Sequence, residues 1–280
     1  MADVRKGSIP AKTIIYAIMA VFTILALYPL FWLILQSFKT TQEYLTSSKL
    51  ALPQAWFAGN YPYAWNMGKF GILLMNSIFY TAVTVVAVVL LGFMAGFAFS
   101  KLKGKSTKIL HGSFIIGILL TLQSIMVPLF LMVNAVHLYN THLGVLIPYI
   151  GLGLPMGVYL GTEFINSIPE ALIESARIDG AKYLRIFFSI ILPMTAPAAM
   201  TVGILTFTGT WNEFMLINIL TSNDMVKSIP VGIGRFSGAL ASDYGKQFSA
   251  LVIGMVPMVA FYLIFRRQIT TGVAAGAVKG

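Results

Sequence analysis

"ESARIDGAKYLRIFFSIILP", residues 174–193, decides the fold, because it departs from a rule that the rest of the chain keeps. Glu174, Arg177, Asp179, Lys182 and Arg185 crowd its first half with charge. Gly180 and Pro193 punctuate it, and long apolar runs flank it on both sides. Across 280 residues only 10% are charged while 58% are hydrophobic, and the mean hydropathy is +0.83. A soluble domain carries about a quarter charged residues. No soluble core of this size hides so much apolar surface, so the solvent around most of the chain is lipid.

Working outward from that stretch, uncharged runs cover residues 13–38, 70–100, 109–162, 186–212 and 247–265. The third is too long for one crossing, and "NAVHLYNTH", residues 134–142, divides it. A crossing needs about 20 apolar residues, and lipid tolerates no unsatisfied backbone, so each run reads as a helix. The expectation is an all-α polytopic membrane protein of one domain with six spans, near 13–38, 72–100, 109–133, 143–165, 195–221 and 247–265. The first run is too long for a cleaved signal, and "LILQSFKT" offers no small-residue cleavage site. Pro128 and Pro155 are expected to kink or break the third and fourth spans.

Lysine and arginine set the orientation. The N-terminus, "KLKGKSTK", residues 163–193 and the C-terminus hold thirteen, against six in the alternate segments. The positive-inside rule puts the first set, with both termini, in the cytoplasm. The net charge of +10 therefore reads as a topology signal, not as a nucleic-acid surface. Trp56, Tyr61, Tyr63 and Trp65 suit an aromatic belt at the outer interface. Residues 167–193 form a cytoplasmic loop between the fourth and fifth spans, and residues 266–280 form a tail.

Within the loop, "SIPE", residues 167–170, has the pattern of a capping box with proline in the first turn, so a helix is expected to start there. That helix can run to Asp179, where Gly180 supplies a left-handed terminator. A second helix then carries Tyr183, Ile186, Phe187, Ile190 and Ile191 on one stripe. From the residues alone this is either an interfacial connector or a knob gripped by a cytoplasmic partner.

The spacing resembles the coupling motif of ATP-binding-cassette import permeases: EAA, three residues, G, nine residues, I, one residue, LP. Glu174, Ser175, Ala176, Gly180, Ile190, Leu192 and Pro193 match it, with Ser175 in place of the first alanine. "NTHLGVLIPY", "SIPEALIESARIDGA", "TWNEF" and the terminal "TTGVAAGAVKG" extend the resemblance to six-span, maltose-type sugar permeases over nearly the whole chain. The resemblance implies a bacterial inner-membrane permease, working by alternating access with a second permease, a cytoplasmic ATPase dimer and an extracytoplasmic solute-binding protein. It implies ATPase-coupling roles for Glu170, Glu174, Ser175, Ala176, Asp179, Gly180, Ala181, Leu192 and Pro193. It also implies ATPase contacts for Ala274, Ala275, Gly276, Ala277, Val278 and Lys279. The solute expected is a sugar or oligosaccharide. The alternatives are a polyamine or amino acid carried by the same machine, or an ion-coupled transporter without an ATPase.

"KGKS", residues 103–106, lacks the first glycine of a phosphate-binding loop, since Phe99 occupies that place. The chain is therefore expected to hold no cofactor and to catalyse nothing, with ATP and Mg bound by the partner ATPase. His111, His137 and His142 fit no metal-ligand spacing. Gly92 and Gly96, like Gly153, Gly157 and Gly161, have small-xxx-small spacing, which allows close packing within the chain or against a second permease. Trp211, Asn212, Glu213 and Phe214 are candidates for the translocation pathway. Glu213 is the one acidic residue well inside a predicted span, Glu163 lying at the end of the fourth, so it is either a hydrogen-bonded structural group or a solute ligand.

Overall fold

The structure is a computed structural model describing residues 9–102, 104–236 and 243–277, with side chains only between 12 and 268. Among the described residues it is all helix. The main elements are α1 (Ile9–Ser37), α2 (Thr41–Thr46), α3 (Asn60–Met67), α4 (Phe70–Lys101), α5 (Lys105–Ile118), α6 (Leu122–Ala135) and α7 (His142–Asn166). They continue with α8 (Glu170–Ile178), α9 (Tyr183–Ile186), a π-helical turn (Phe187–Ile191), α10 (Leu192–Met194), α11 (Ala196–Trp211), α12 (Met215–Leu220), α13 (Ile229–Gly234) and α14 (Tyr244–Ala277). Four helices, α1, α4, α7 and α14, are long and apolar enough to span a bilayer, and two bent pairs raise the total to six. Phe22, Ile24 and Phe31 of α1 are all more than 60% exposed, as suits a surface whose solvent is lipid.

The chain divides into two compact units. The first holds residues 1–70 and 233–256. Its centre is Asn60, whose Nδ2 donates to the carbonyls of Ser37 and Lys39 at 2.8 Å each, fastening α3 to the end of α1. Thr41 donates to Asp243 at 2.6 Å, and Asp243 pairs with Lys246 at 2.5 Å. Partial burial works against the Asp243 charge. Hydrogen bonds from Lys246 and Thr41 outweigh it and hold the carboxyl below the usual carboxylate range. The Lys246 ammonium also sits 3.5 Å above the Tyr63 ring.

The second unit, residues 71–232 and 257–280, carries the predicted loop and most of the core. There α4 and α7 touch through glycine. A Cβ on Gly92 would lie 2.9 Å from the Gly157 carbonyl carbon, and one on Gly96 would lie 2.8 Å from that of Gly161. The small-residue rows therefore pair with each other inside the chain. Lipid tails pack against apolar side chains about as well as another helix does, so this backbone proximity is what holds two such spans together.

Three expectations change. The third span, expected as one helix over 109–133, is α5 and α6, bent by 110° at residues 119–121. The bend precedes Pro128, which lies inside α6. Thr121 makes the break instead: its backbone is extended at ψ 143°, and its hydroxyl meets that of Ser124 at 2.8 Å. The fifth span, expected over 195–221, bends by 80° between Tyr183–Met194 and Ala196–Trp211, and its α-helix stops at Trp211. The Glu213 carboxylate takes the amides of Leu216 and Ile217, starting a new helix where the old one would have continued. Finally, the Ser167–Glu170 capping box does not form. Ser167 Oγ donates back to the Phe164 carbonyl at 2.7 Å and closes α7. Pro169 disfavours helix at the preceding Ile168, so α8 begins only at Glu170.

Candidate functional site

The loop after α7 turns on one backbone event. Gly180 has φ +78°, and two hydrogen bonds close around it. Its own N–H reaches the Arg177 carbonyl at 3.0 Å, and the Ala181 N–H reaches the Ala176 carbonyl at 2.9 Å. This is a Schellman motif, which satisfies the orphan carbonyls at the end of α8 and reverses the chain. It also explains the spacing of the motif. Ala176 and Ala181 are the two ends of the bond that spans more of the chain, both half-buried against the same core, and Gly180 between them is the residue that adopts left-handed backbone without strain.

The rest of the loop sorts into an outward tip and an inward root. Glu170, Glu174, Ser175, Asp179 and Gly180 are exposed. Ile173 of α8, Ile186 of α9, and Phe187 and Ile191 of the π-turn are buried against Phe93, Phe97 and Ile165 of α4 and α7. Of the predicted stripe, Ile190 is half-buried and packs on this core, while Tyr183 is 47% exposed and sits under the Arg177 guanidinium at 5.5 Å. Leu192 packs on the same core and Pro193 is exposed in the first turn of α10. Lys101 Nζ donates to the Ile168 carbonyl at 2.8 Å, so the end of α4 also holds the loop. A push on the tip therefore reaches the spans through packed side chains.

One tip residue was not singled out by its sequence. Ile178 is 86% exposed, one turn from Glu174 on the same helical face. Standing singly, it adds one apolar side chain to an otherwise polar tip. The signal was present, since residues 174 and 178 stand four apart on a helix.

The second candidate set lies at the break in the fifth span. Trp211 is 5% exposed and stacks on Phe207 at 5.7 Å with an interplanar angle of 8°, while Asn212 is exposed and donates to the Thr208 carbonyl. Phe214 is 43% exposed. The half-buried Glu213 has three donors: Leu216 N–H at 2.7 Å, Ile217 N–H at 3.0 Å and the Tyr149 hydroxyl at 2.8 Å. Of the two roles open to Glu213, this geometry is that of a hydrogen-bonded structural group. A groove of about 660 Å³ runs beside Trp211, lined by α4, α11 and the Phe261 and Phe265 rings of α14. Its walls are almost wholly apolar, which suits a packed helix better than a hydroxyl-rich solute.

The tail candidates fall at the margin of the structure. Ala274, Ala275, Gly276 and Ala277 continue α14, with side chains outside the described residues, and Val278 and Lys279 lie wholly outside them. The loop and the span break thus lie in the same unit.

The family described as "Binding-protein-dependent transport system inner membrane component" matches residues 88–273, which includes the loop, the span break and most of α14. The chain is 34% identical to a putative ABC transporter permease protein (ORF2) of Caldicellulosiruptor sp. strain Rt8B.4, over 95% of this chain and 96% of that one. It is 32% identical to the trehalose transport system permease protein SugB of Mycobacterium tuberculosis, over 91% and 93% of the two chains. Among solved structures, a bacterial ABC transporter involved in import of the acidic polysaccharide alginate superposes with a TM-score of 0.79. That match covers 91% of this chain and 95% of the other at 19% identity, and so speaks to fold.

Proposed function

The chain belongs to the family of binding-protein-dependent transport system inner membrane components, and from that premise we propose how it works. It is a multi-pass permease subunit of an ATP-binding-cassette importer for a sugar or oligosaccharide. Relatives named for trehalose, diacetylchitobiose and trehalose/maltose uptake support the solute class. Both termini and the 167–193 loop face the cytoplasm, in line with the lysine and arginine distribution. A cytoplasmic ATPase pair binds ATP and Mg and grips the loop tip at Glu174, Ser175, Asp179, Gly180 and the exposed Ile178. A second permease and an extracytoplasmic binding protein complete the importer.

The observation that carries this reading is the loop itself: an exposed, sharply reversed tip on a root packed into the α4 and α7 core. Closure of the ATPase pair on ATP displaces the tip. The stiff root passes the displacement to α11, and the spans open to one side and then the other. The residues of the tail from Ala274 to Lys279 contribute a second contact with the ATPase.

The test is reconstitution. Co-expressed with an ATPase, a second permease and a binding protein from the same source, this chain should co-purify with the ATPase. Proteoliposomes should take up a labelled oligosaccharide only with ATP on the ATPase side. Uptake driven by an ion gradient without ATP would overturn the proposal. ATP-dependent uptake of a polyamine or amino acid in place of any sugar would keep the machine and change the solute.

A further inference from the structure

The second unit contains two separate hydrophobic cores. One surrounds the coupling loop and includes Phe93 of α4, Ile165 of α7 and Val202 of α11. The other lies toward the opposite ends of the same long helices and includes Tyr80 of α4, Tyr149 of α7, and Leu216 and Ile217 of α12. Helices α4 and α7 pass through both without interruption. The fifth span alone changes helix between them, at residues 212–214. Across that break the amides of Asn212 and Glu213 bond backward, to the carbonyls of Thr208 and Thr210 at 3.3 Å each. The Asn218 amide reaches only as far back as Phe214, at 3.1 Å. Displacement entering from the loop therefore arrives in α11, while α12 is held by the other core.

The far end of α12 is held where the Asn140 amide donates to the Leu220 carbonyl at 3.0 Å, and what ties down its near end is specific. Two of the three donors to Glu213 are the amides of α12 itself, so they cap the helix without attaching it to anything. Among the described residues the Tyr149 hydroxyl, 64 positions away in sequence, is the partner from another helix. The Tyr149 ring meets Tyr80 edge-on at 6.2 Å. Tyr80 donates to the Val226 carbonyl at 2.8 Å, which leaves its oxygen to accept from Nδ1–H of His142, also at 2.8 Å. Spans two and four and the far half of span five are thus linked through the buried Tyr80 and Tyr149, which touch ring to ring, with the half-buried Glu213 at one end of the line and the exposed His142 at the other. Low local dielectric makes each of these bonds count for more than it would in water.

We infer that Tyr149 is a positioning residue for transport: its hydroxyl anchors the Glu213-capped helix α12 to α7, so that the fifth span flexes at residues 212–214 when the loop moves α11. The inference rests on the permease reading above. Glu213 then holds the far half of the span still while α11 moves, with three protein donors on its carboxylate.

The experiment uses the full importer in proteoliposomes with Tyr149→Phe, Glu213→Gln and the double variant. Tyr149→Phe keeps the ring in the core and removes only the hydroxyl. It should assemble in normal yield, keep KM for the solute, and lower the maximal transport rate about tenfold, the scale of one lost hydrogen bond to a charged group. ATP hydrolysis should continue, so ATP consumed per solute rises. Glu213→Gln keeps one acceptor oxygen for the Tyr149 hydroxyl but removes the charge that strengthens that bond, so the double variant should lose less than the two single losses multiplied together. Wild-type transport by Tyr149→Phe, a raised KM, a reduced complex yield, or losses that multiply in the double variant would each overturn the role. ATP-driven uptake by the unaltered complex tests the permease reading separately, whatever the variants do.

Discussion

Gly180 occupies the one described position where a glycine has left-handed backbone, with open space around its missing side chain. A substitution there meets no steric obstacle within the chain, so its effect on the turn itself is backbone strain. Gly180→Val places a β-branched residue at φ +78°, costing about 1–2 kcal/mol or more unless the turn deforms. Deformation is the cheaper outcome, and it redirects the tip that carries Ile178 and Asp179. The variant should insert normally, yet transport should fall by about tenfold or more, with hydrolysis weakened or uncoupled. Membrane abundance, measured beside uptake and ATPase rate, checks this, and wild-type uptake would remove the loop from the coupling route. At this scale the sequence was unusually legible. Glycine at the sixth position after Glu174 predicts its own conformation, because left-handed backbone is a local property. The role of Glu213 was not legible in the same way. Its charge announced importance, but either partner class fitted until Tyr149 was placed beside it.

Among the helices, the decisive contact is the glycine crossing of α4 and α7. A methyl group on Gly96 would come 2.8 Å from the Gly161 carbonyl carbon and the Thr162 amide nitrogen, both backbone atoms that cannot rotate away. Gly96→Ala should force the helices apart and cost about 1–3 kcal/mol, the usual penalty of overpacking. Gly151→Ala, on the same helix as Gly161 but with nothing within 4 Å of the added carbon, is the control. Thermal unfolding of the purified complex in detergent should show a lower midpoint for the first and no loss for the second. Equal midpoints would mean that the crossing relaxes freely. Small-residue spacing made the close approach readable in advance, yet the same spacing served equally for a contact with a second subunit. Choosing between these takes the register of one span against another, which no pattern within a single span contains. The span breaks follow the same logic. Pro128 drew attention as a breaker, but α6 accommodates it, and the turn forms where the backbone of Thr121 is extended and its hydroxyl meets that of Ser124.

For the whole molecule, the question is which parts are needed to build the permease and which to drive it. Truncation after Thr271 removes the end of α14 and the residues beyond it but leaves every candidate span, since the last of them runs Tyr244–Gln268. Membrane abundance should therefore stay unchanged while hydrolysis per assembled complex changes, as measured on purified importer. Unchanged hydrolysis and uptake would reduce the tail to a solvated end. What the sequence by itself determined is the membrane class, the near positions of the spans, and the charged loop with its reversal at Gly180. Those follow from hydropathy summed over about 20 residues and from conformational preferences of single residues, both local quantities. Only the tertiary structure decided that the fifth span is cut at residues 212–214, that Gly92 and Gly96 meet Gly157 and Gly161, and that Tyr149 holds Glu213. Each of these depends on which groups face one another across more than 60 residues of chain in the case of Gly92 with Gly157 or Tyr149 with Glu213. Inside lipid that choice is governed by backbone approach and hydrogen-bond partners, because apolarity is shared by every face and discriminates between none of them.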